Sequence, residues 1–243
     1  MDRLKLLLSA CPDWFETVGR SPLAFTGNAR IGPWEDEGVL LRIQDALSPR
    51  VGEAIPGSAF PAACSERHIE GTGLFCTGLH ATPLKTTRDA RRWWRKLEQY
   101  LCCQAAATAT GVWPIGHGLD HGDAGEPHRR ALRLAQRLGV EDAYLSAYMG
   151  EPSWFTSTGL DLLGERRRPG QVKRPRLRTP KVRGRRARLA LLEIVMLERV
   201  RKRELTAFWV NQRRSGRVCC GTMRDCRLNR PTTAAEQIEE KAA

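Results

Sequence analysis

The sequence predicts an α+β protein: a small antiparallel sheet packed on helices, then a basic linker and a helical, cysteine-rich C-terminal extension. Two patterns carry that expectation. Pro12, Pro22, Pro33, Pro49, Pro56 and Pro61 cut the first 63 residues into short runs of β-forming side chains. Further on, apolar residues recur at helical spacing, first after residue 87 and again after 185. With 243 residues the chain has room for one substantial core and an appendage.

Taken in order, residues 23–31 and 39–43 read as strands of the sheet. Thr86 or Thr87 is placed to cap a helix, with Asp89 three residues after Thr86 to complete a capping box. That helix is expected to run to about Ala107, with Ala90, Trp93, Trp94, Leu97 and Leu101 on its apolar face and Trp93, Trp94 and Leu97 covering the sheet. Trp113, Pro114 and a Gly-rich stretch to Gly122 form a loop, after which Asp123 caps a helix over about 124–138 that Gly139 ends. Residues 140–165 read only as short helices or turns. A second long helix spans about 185–212, with Leu189, Leu192, Met196 and Val200 on one stripe and a Glu198–Lys202 pair on its surface. The domain boundaries expected are a core over 1–140, an irregular and Arg-rich linker over 141–188, the helix and cysteine-rich extension over 189–228, and a flexible tail over 229–243.

The net charge is +13, and residues 166–188 hold twelve Arg or Lys and no acid, so the rest of the chain is close to neutral. Such a segment can neutralise phosphates and bind nucleic acid without sequence preference. It has no interleaved aromatics for base stacking, and a solvated tether is the competing reading. Eight cysteines fall as singles, adjacent pairs and one short cluster, which fits reduced thiols and a cytoplasmic setting better than a disulfide scaffold. Leu8, Ser9, Ala10 and Cys11 match a lipoprotein cleavage pattern, but the apolar stretch before Cys11 is shorter than the roughly 7–15 residues of a signal peptide. No run approaches the roughly 18 apolar residues of a membrane span, so no membrane partner is expected.

Residues 64–76, from Cys64 through Arg67, His68, Ile69, Glu70, Gly71 and Gly73 to Phe75 and Cys76, form a turn-rich connection. Thr77 and Gly78 follow at once, so Cys76 ends a loop and is a candidate nucleophile. A thiol attacks as thiolate, which needs solvent access and a group that stabilises the anion; Arg67 and His68 lie eight or nine residues upstream. Packing beside Phe75 as a small buried hydrophobe is the alternative.

Cys219, Cys220 and Cys226 are close enough in sequence to share a structural zinc, with Cys64 or Cys102 and Cys103 as possible further donors. Free thiols, or docking of the segment back on the core, are the other readings. His117, His121 and His128 with Asp120 and Asp123 form a second group. In a Gly-rich loop they share no fixed face and make a weak metal signal, and the favoured account is loop polar groups with Asp123 as a helix cap.

The order of elements, with a short sheet, Pro56, Phe60 and Pro61, then His68, a Gly-rich turn, Cys76 and a helix, resembles the ubiquitin-conjugating enzyme fold. The likeness is greatest to bacterial proteins of this group that carry a cysteine-rich extension, through residues 64–78 and through the run from Cys219 to Cys226. The resemblance implies that the activated carboxylate of a ubiquitin-like modifier moves from an activating enzyme onto Cys76 as a thioester and then to an acceptor, in a bacterial pathway related to antiviral defence. It implies no required cofactor. His68 would hold the loop, and His121 and Asp123 would touch the modifier or acceptor. Ile69 and Glu70 stand where the wider family has Pro and Asn, and an ionised carboxylate cannot donate the oxyanion hydrogen bond the family assigns to that Asn. The second reading is therefore a non-catalytic module of the same fold that binds a ubiquitin-like protein or nucleic acid.

Overall fold

The computed structural model describes residues 3–78, 83–114, 120–149 and 182–229. The expected irregular segment from 150, the Arg-rich linker as far as 181, the tail from 230 and His117 lie outside the described residues. The described residues form two compact units, one within residues 3–114 and 216–229, the other within residues 120–215.

The first unit begins with α1 (Arg3–Ser9) and a four-stranded sheet of β1 (Phe15–Ser21), β2 (Ala24–Ala29), β3 (Val39–Gln44) and β4 (Arg50–Glu53). The strands pair in sequence order and antiparallel throughout. In β3, Val39, Leu41 and Ile43 are buried while Leu40 and Arg42 are exposed, the alternation of a strand with one dry face. The dry face is covered by α2 (Thr87–Thr110). Trp93, Trp94 and Leu97 pack there as expected, with the Trp94 ring 4.8 Å from Phe15. Both indole N–H groups find buried partners, Trp93 donating to the Pro49 carbonyl and Trp94 to that of Leu7, each at 3.0 Å. The capping box forms: Thr86 Oγ1 accepts from the Asp89 amide, and Asp89 accepts from the Thr86 amide. β1 and β4 escape the sequence reading for physical reasons. β1 is mostly exposed and carries a bulge between Thr17 and Gly19, and β4 is short, with Gly52 and Glu53 in it.

The second unit contains α3 (Gly125–Leu138), α4 (Glu141–Tyr148) and α5 (Arg185–Arg214). Ala131 and Ala135 on α3 let Leu191, Ile194 and Val195 of α5 come close, with Tyr144 and Ala147 of α4 completing the core.

Three sequence expectations change here. Asp123 does not cap α3: residues Gly122–Ala124 already coil as a 3-10 turn, Ala124 stands at the cap with no side-chain bond, and Asp123 is exposed. The buried stripe of α5 is Leu191, Ile194, Val195, Glu198, Arg201, Leu205 and Trp209, while Leu189 and Met196 are exposed. Glu198 does not lie on the surface with Lys202. It is 1% exposed and accepts a bidentate pair from Arg201 at 2.6 and 2.7 Å, with Lys202 Nζ more distant at 3.7 Å.

Candidate active site

The loop from Cys64 to Cys76 is folded onto the sheet by its own backbone. Cys64 and Ile69 exchange both amide-to-carbonyl bonds, at 3.0 and 2.9 Å, and the Phe75 amide donates to Val51 of β4 at 2.8 Å. The approach to β4 needs a glycine: a Cβ on Gly52 would lie 2.5 Å from the Gly73 carbonyl oxygen. Upstream, the buried Glu53 carboxylate gathers the lead-in segment by accepting from Ser58 Oγ and from the amides of Gly57, Ala59 and Phe60.

Arg67 fastens the loop to α2. Its guanidinium is 2% exposed and donates to the Gln104 side chain at 2.7 Å, the Gln104 carbonyl at 3.1 Å, Thr108 Oγ1 at 2.6 Å and Thr222 Oγ1 at 3.4 Å. In return, the Gln104 amide and the Tyr100 hydroxyl donate to the Arg67 carbonyl at 2.8 and 3.1 Å. Those guanidinium acceptors are all neutral oxygens, so Arg67 brings a buried positive charge close to the loop.

Just after Arg67, His68 is held in the left-handed region at φ 54°, where a side chain is normally disfavoured. The twist aims the His68 carbonyl at the Cys76 amide, which donates to it at 2.8 Å. The backbone of His68 thus touches the cysteine, and the ring packs 4.9 Å from Trp113. Cys76 is an exposed residue. The protein packed around its sulfur raises the thiol pKa above the ordinary 9.0; the Gly78 amide opposes that shift and the Glu70 carboxylate adds to it. Glu70 is paired with Arg50 at 2.9 Å.

The C-terminal segment from Gly216 folds back on this loop within the first unit. Arg217 lies over Gly71, Thr222 accepts from Arg67, and the Arg227 amide donates to Glu66 at 3.3 Å. Met223 and Cys226 are buried with Cys64 and Ala107, and Cys219, Cys220 and Trp113 pack around them. Cys220 Sγ lies 2.9 Å from Cys64 Sγ. Burial disfavours a Cys220 thiolate, yet hydrogen bonds from Cys64 and Thr222 and the Arg67 charge outweigh it and bring the pKa below 9.0. Burial and the Cys220 contact push the Cys64 thiol far up. Among the described residues, no group of three or more His, Cys, Asp or Glu is arranged to hold a metal ion.

These observations meet a family assignment. Residues 21–115 match the model of a prokaryotic E2 domain, and residues 120–228 match that of a cysteine-rich domain C-terminal to the E2 domain. The chain belongs to the prokaryotic E2-like family with a cysteine-rich extension. No curated protein and no solved structure matches it. As an E2-like protein it has a ubiquitin-conjugating-like role in general terms, with a ubiquitin-like protein as the kind of partner the family implies. No helix among the described residues is long and apolar enough to cross a membrane.

Cys64, His68 and Cys76 fall within the E2 domain, and Cys219, Cys220 and Cys226 within the cysteine-rich match. His121 and Asp123 belong to the second unit. There the His121 ring stacks on Phe208 at 4.9 Å with Trp209 edge-on at 5.5 Å, while Asp123 is exposed to solvent. Gln104 and Glu53 are not among the residues singled out by sequence, and Arg67 is read there as a cation near the candidate nucleophile rather than as the buried anchor of the loop. A buried charge looks like any surface charge in a pattern that sorts residues by polarity, and only the Arg-His pairing ahead of the turn drew attention to that stretch.

Proposed function

We propose that this protein carries a ubiquitin-like modifier as a thioester on Cys76 and passes it to an acceptor amine, in a defence-type bacterial conjugation pathway in the cytoplasm. The observation that carries the reading is an exposed cysteine at the end of the E2-domain loop, its amide bonded to the His68 carbonyl. The Cys76 thiolate attacks the modifier's carbonyl carbon in the thioester on an activating enzyme. The new C–S bond forms as the enzyme's thiolate leaves and takes up a proton. An amine then attacks the same carbon and Cys76 leaves. His68 is the positioning residue through its backbone, and no cofactor enters either step.

Incubation with an activating enzyme and its modifier, followed by a nonreducing gel, tests this. A band shift lost with reductant and absent in Cys76→Ser is expected; a shift that survives Cys76→Ser would sink the reading.

A second reading, binding without transfer, is favoured by Glu70 and by the exposed Arg183, Arg185, Arg186 and Arg188 at the start of α5. Those side chains extend the basic segment and suit phosphate contact. Deleting residues 166–181 should then reduce nucleic-acid affinity and flatten its salt dependence in filter binding, and no reductant-sensitive Cys76 adduct should form in either protein.

A further inference from the structure

The cysteine cluster between the C-terminal segment and the E2-domain loop is unused by the transfer chemistry above. Its sulfurs are not arranged as a metal-ligand set among the described residues, and the adjacent Cys219 and Cys220 take different partners. Cys220 faces Cys64 at 2.9 Å and Thr222 Oγ1 at 3.2 Å, whereas Cys219 accepts from the Gly221 amide at 3.4 Å and lies beside Cys226. We propose that Cys64 and Cys220 are a redox-active dithiol whose oxidation by a hydroperoxide fastens the C-terminal segment covalently to the loop that carries Cys76.

Three features support the pair. The sulfurs are already in contact, although 156 positions separate the two residues in sequence. Partial exposure of Cys220 admits a small oxidant, while Cys64 is buried behind it. The guanidinium of Arg67 donates to Thr222 Oγ1 at 3.4 Å, and that oxygen lies 3.2 Å from Cys220 Sγ, so a buried positive charge stands close to the attacking sulfur.

The chemistry balances with one hydroperoxide per bond formed. The Cys220 thiolate attacks one peroxide oxygen, the O–O bond breaks, and the departing oxygen leaves as water after taking a proton, giving a sulfenic acid at Cys220. Cys64, losing its proton, attacks that sulfur and expels hydroxide, which leaves as a second water. Two thiols are oxidised and the peroxide is reduced. The bond would hold in covalent form what Arg67–Thr222 and Glu66–Arg227 hold by hydrogen bonds. The inference does not depend on Cys76 carrying a modifier.

The test uses the full-length protein, treated with hydrogen peroxide, blocked with an alkylating agent and digested with trypsin without reductant. Mass spectrometry should find peptide 51–67 joined to peptide 218–224, at the summed mass less two hydrogens plus one alkyl group on Cys219. The link should persist in Cys219→Ser and disappear in Cys64→Ser and Cys220→Ser. In Cys64→Ser, which lacks the resolving thiol, Cys220 should instead be labelled by a sulfenic-acid probe. Absence of the link in the wild-type protein, or its survival in Cys220→Ser, overturns the proposal. So does a purified protein whose native mass includes a zinc ion that shields these thiols from peroxide.

Discussion

Glu70 sets the chemical limits of Cys76 from two directions. Its carboxylate raises the Cys76 pKa, though less than the packing around the sulfur does, and when ionised it has no proton to offer a developing oxyanion. With the folded pKa above the ordinary 9.0, thiolate is scarce at neutral pH and thioester formation should climb as pH rises through the alkaline range. Replacing Glu70 by Gln removes a negative charge, lowers the Cys76 pKa and moves the charging profile to lower pH. It also supplies an amide donor, so discharge to an amine should rise by up to about 100–1,000-fold, the order of an oxyanion donor. Single-turnover charging across a pH series, with discharge timed separately, checks both effects; an unmoved profile would mean Glu70 exerts no field on the sulfur. At this scale the sequence marks Cys76 as the cysteine that ends the loop, and it is the family resemblance that sets Glu70 against an expected amide. The sequence does not show that the His68 carbonyl accepts from the Cys76 amide, because a left-handed backbone at a histidine leaves no trace in residue type.

Helix α5 shows why periodicity picked the wrong face. Leu189, Leu192, Met196 and Val200 form an apolar row, and next to it runs a row in which Ile194 and Val195 alternate with Glu198 and Arg201. Counting apolar residues favours the first row, since it holds no charge. The molecule buries the second, because Arg201 and Glu198 neutralise each other in a bidentate pair and Asp120 closes on the same guanidinium. The helices with separable faces were legible: α2, with its capping box and tryptophans, lies where the pattern put it. The consequence for α5 is measurable. Ile194→Ala, at a position fully shielded from solvent, should cost about 2–5 kcal/mol in urea unfolding. Met196→Ala, at a position 53% exposed, should stay within about 0.5 kcal/mol. Equal effects would restore the apolar row as the packed face.

Across the whole molecule, the two units differ in what holds them, and acid should separate them. The first rests on an aromatic sheet–helix core in which Trp94 meets Phe15 and Phe25. The second has a charged centre, where His128 accepts from the Asp120 amide at 3.3 Å and is surrounded by Asp120, Glu198, Arg201, Tyr144 and Tyr148. Burial depresses the His128 pKa below the ordinary 6.5, Arg201 depresses it further, and the Asp120 and Glu198 charges oppose the shift without cancelling it. The unfolded chain therefore binds this proton more readily than the folded one. The resulting stability is fully present above pH 6.5 and is lost as pH falls from there toward the folded-state value. Hydrogen exchange at pH 7.5 and at pH 5 should show protection falling in α3 and α5 while β2, β3 and α2 keep theirs. His128→Gln, which cannot take up the proton, should lessen that contrast. If the sheet loses protection together with α3 and α5 in both proteins, the units unfold as one and His128 is not the acid-sensitive element.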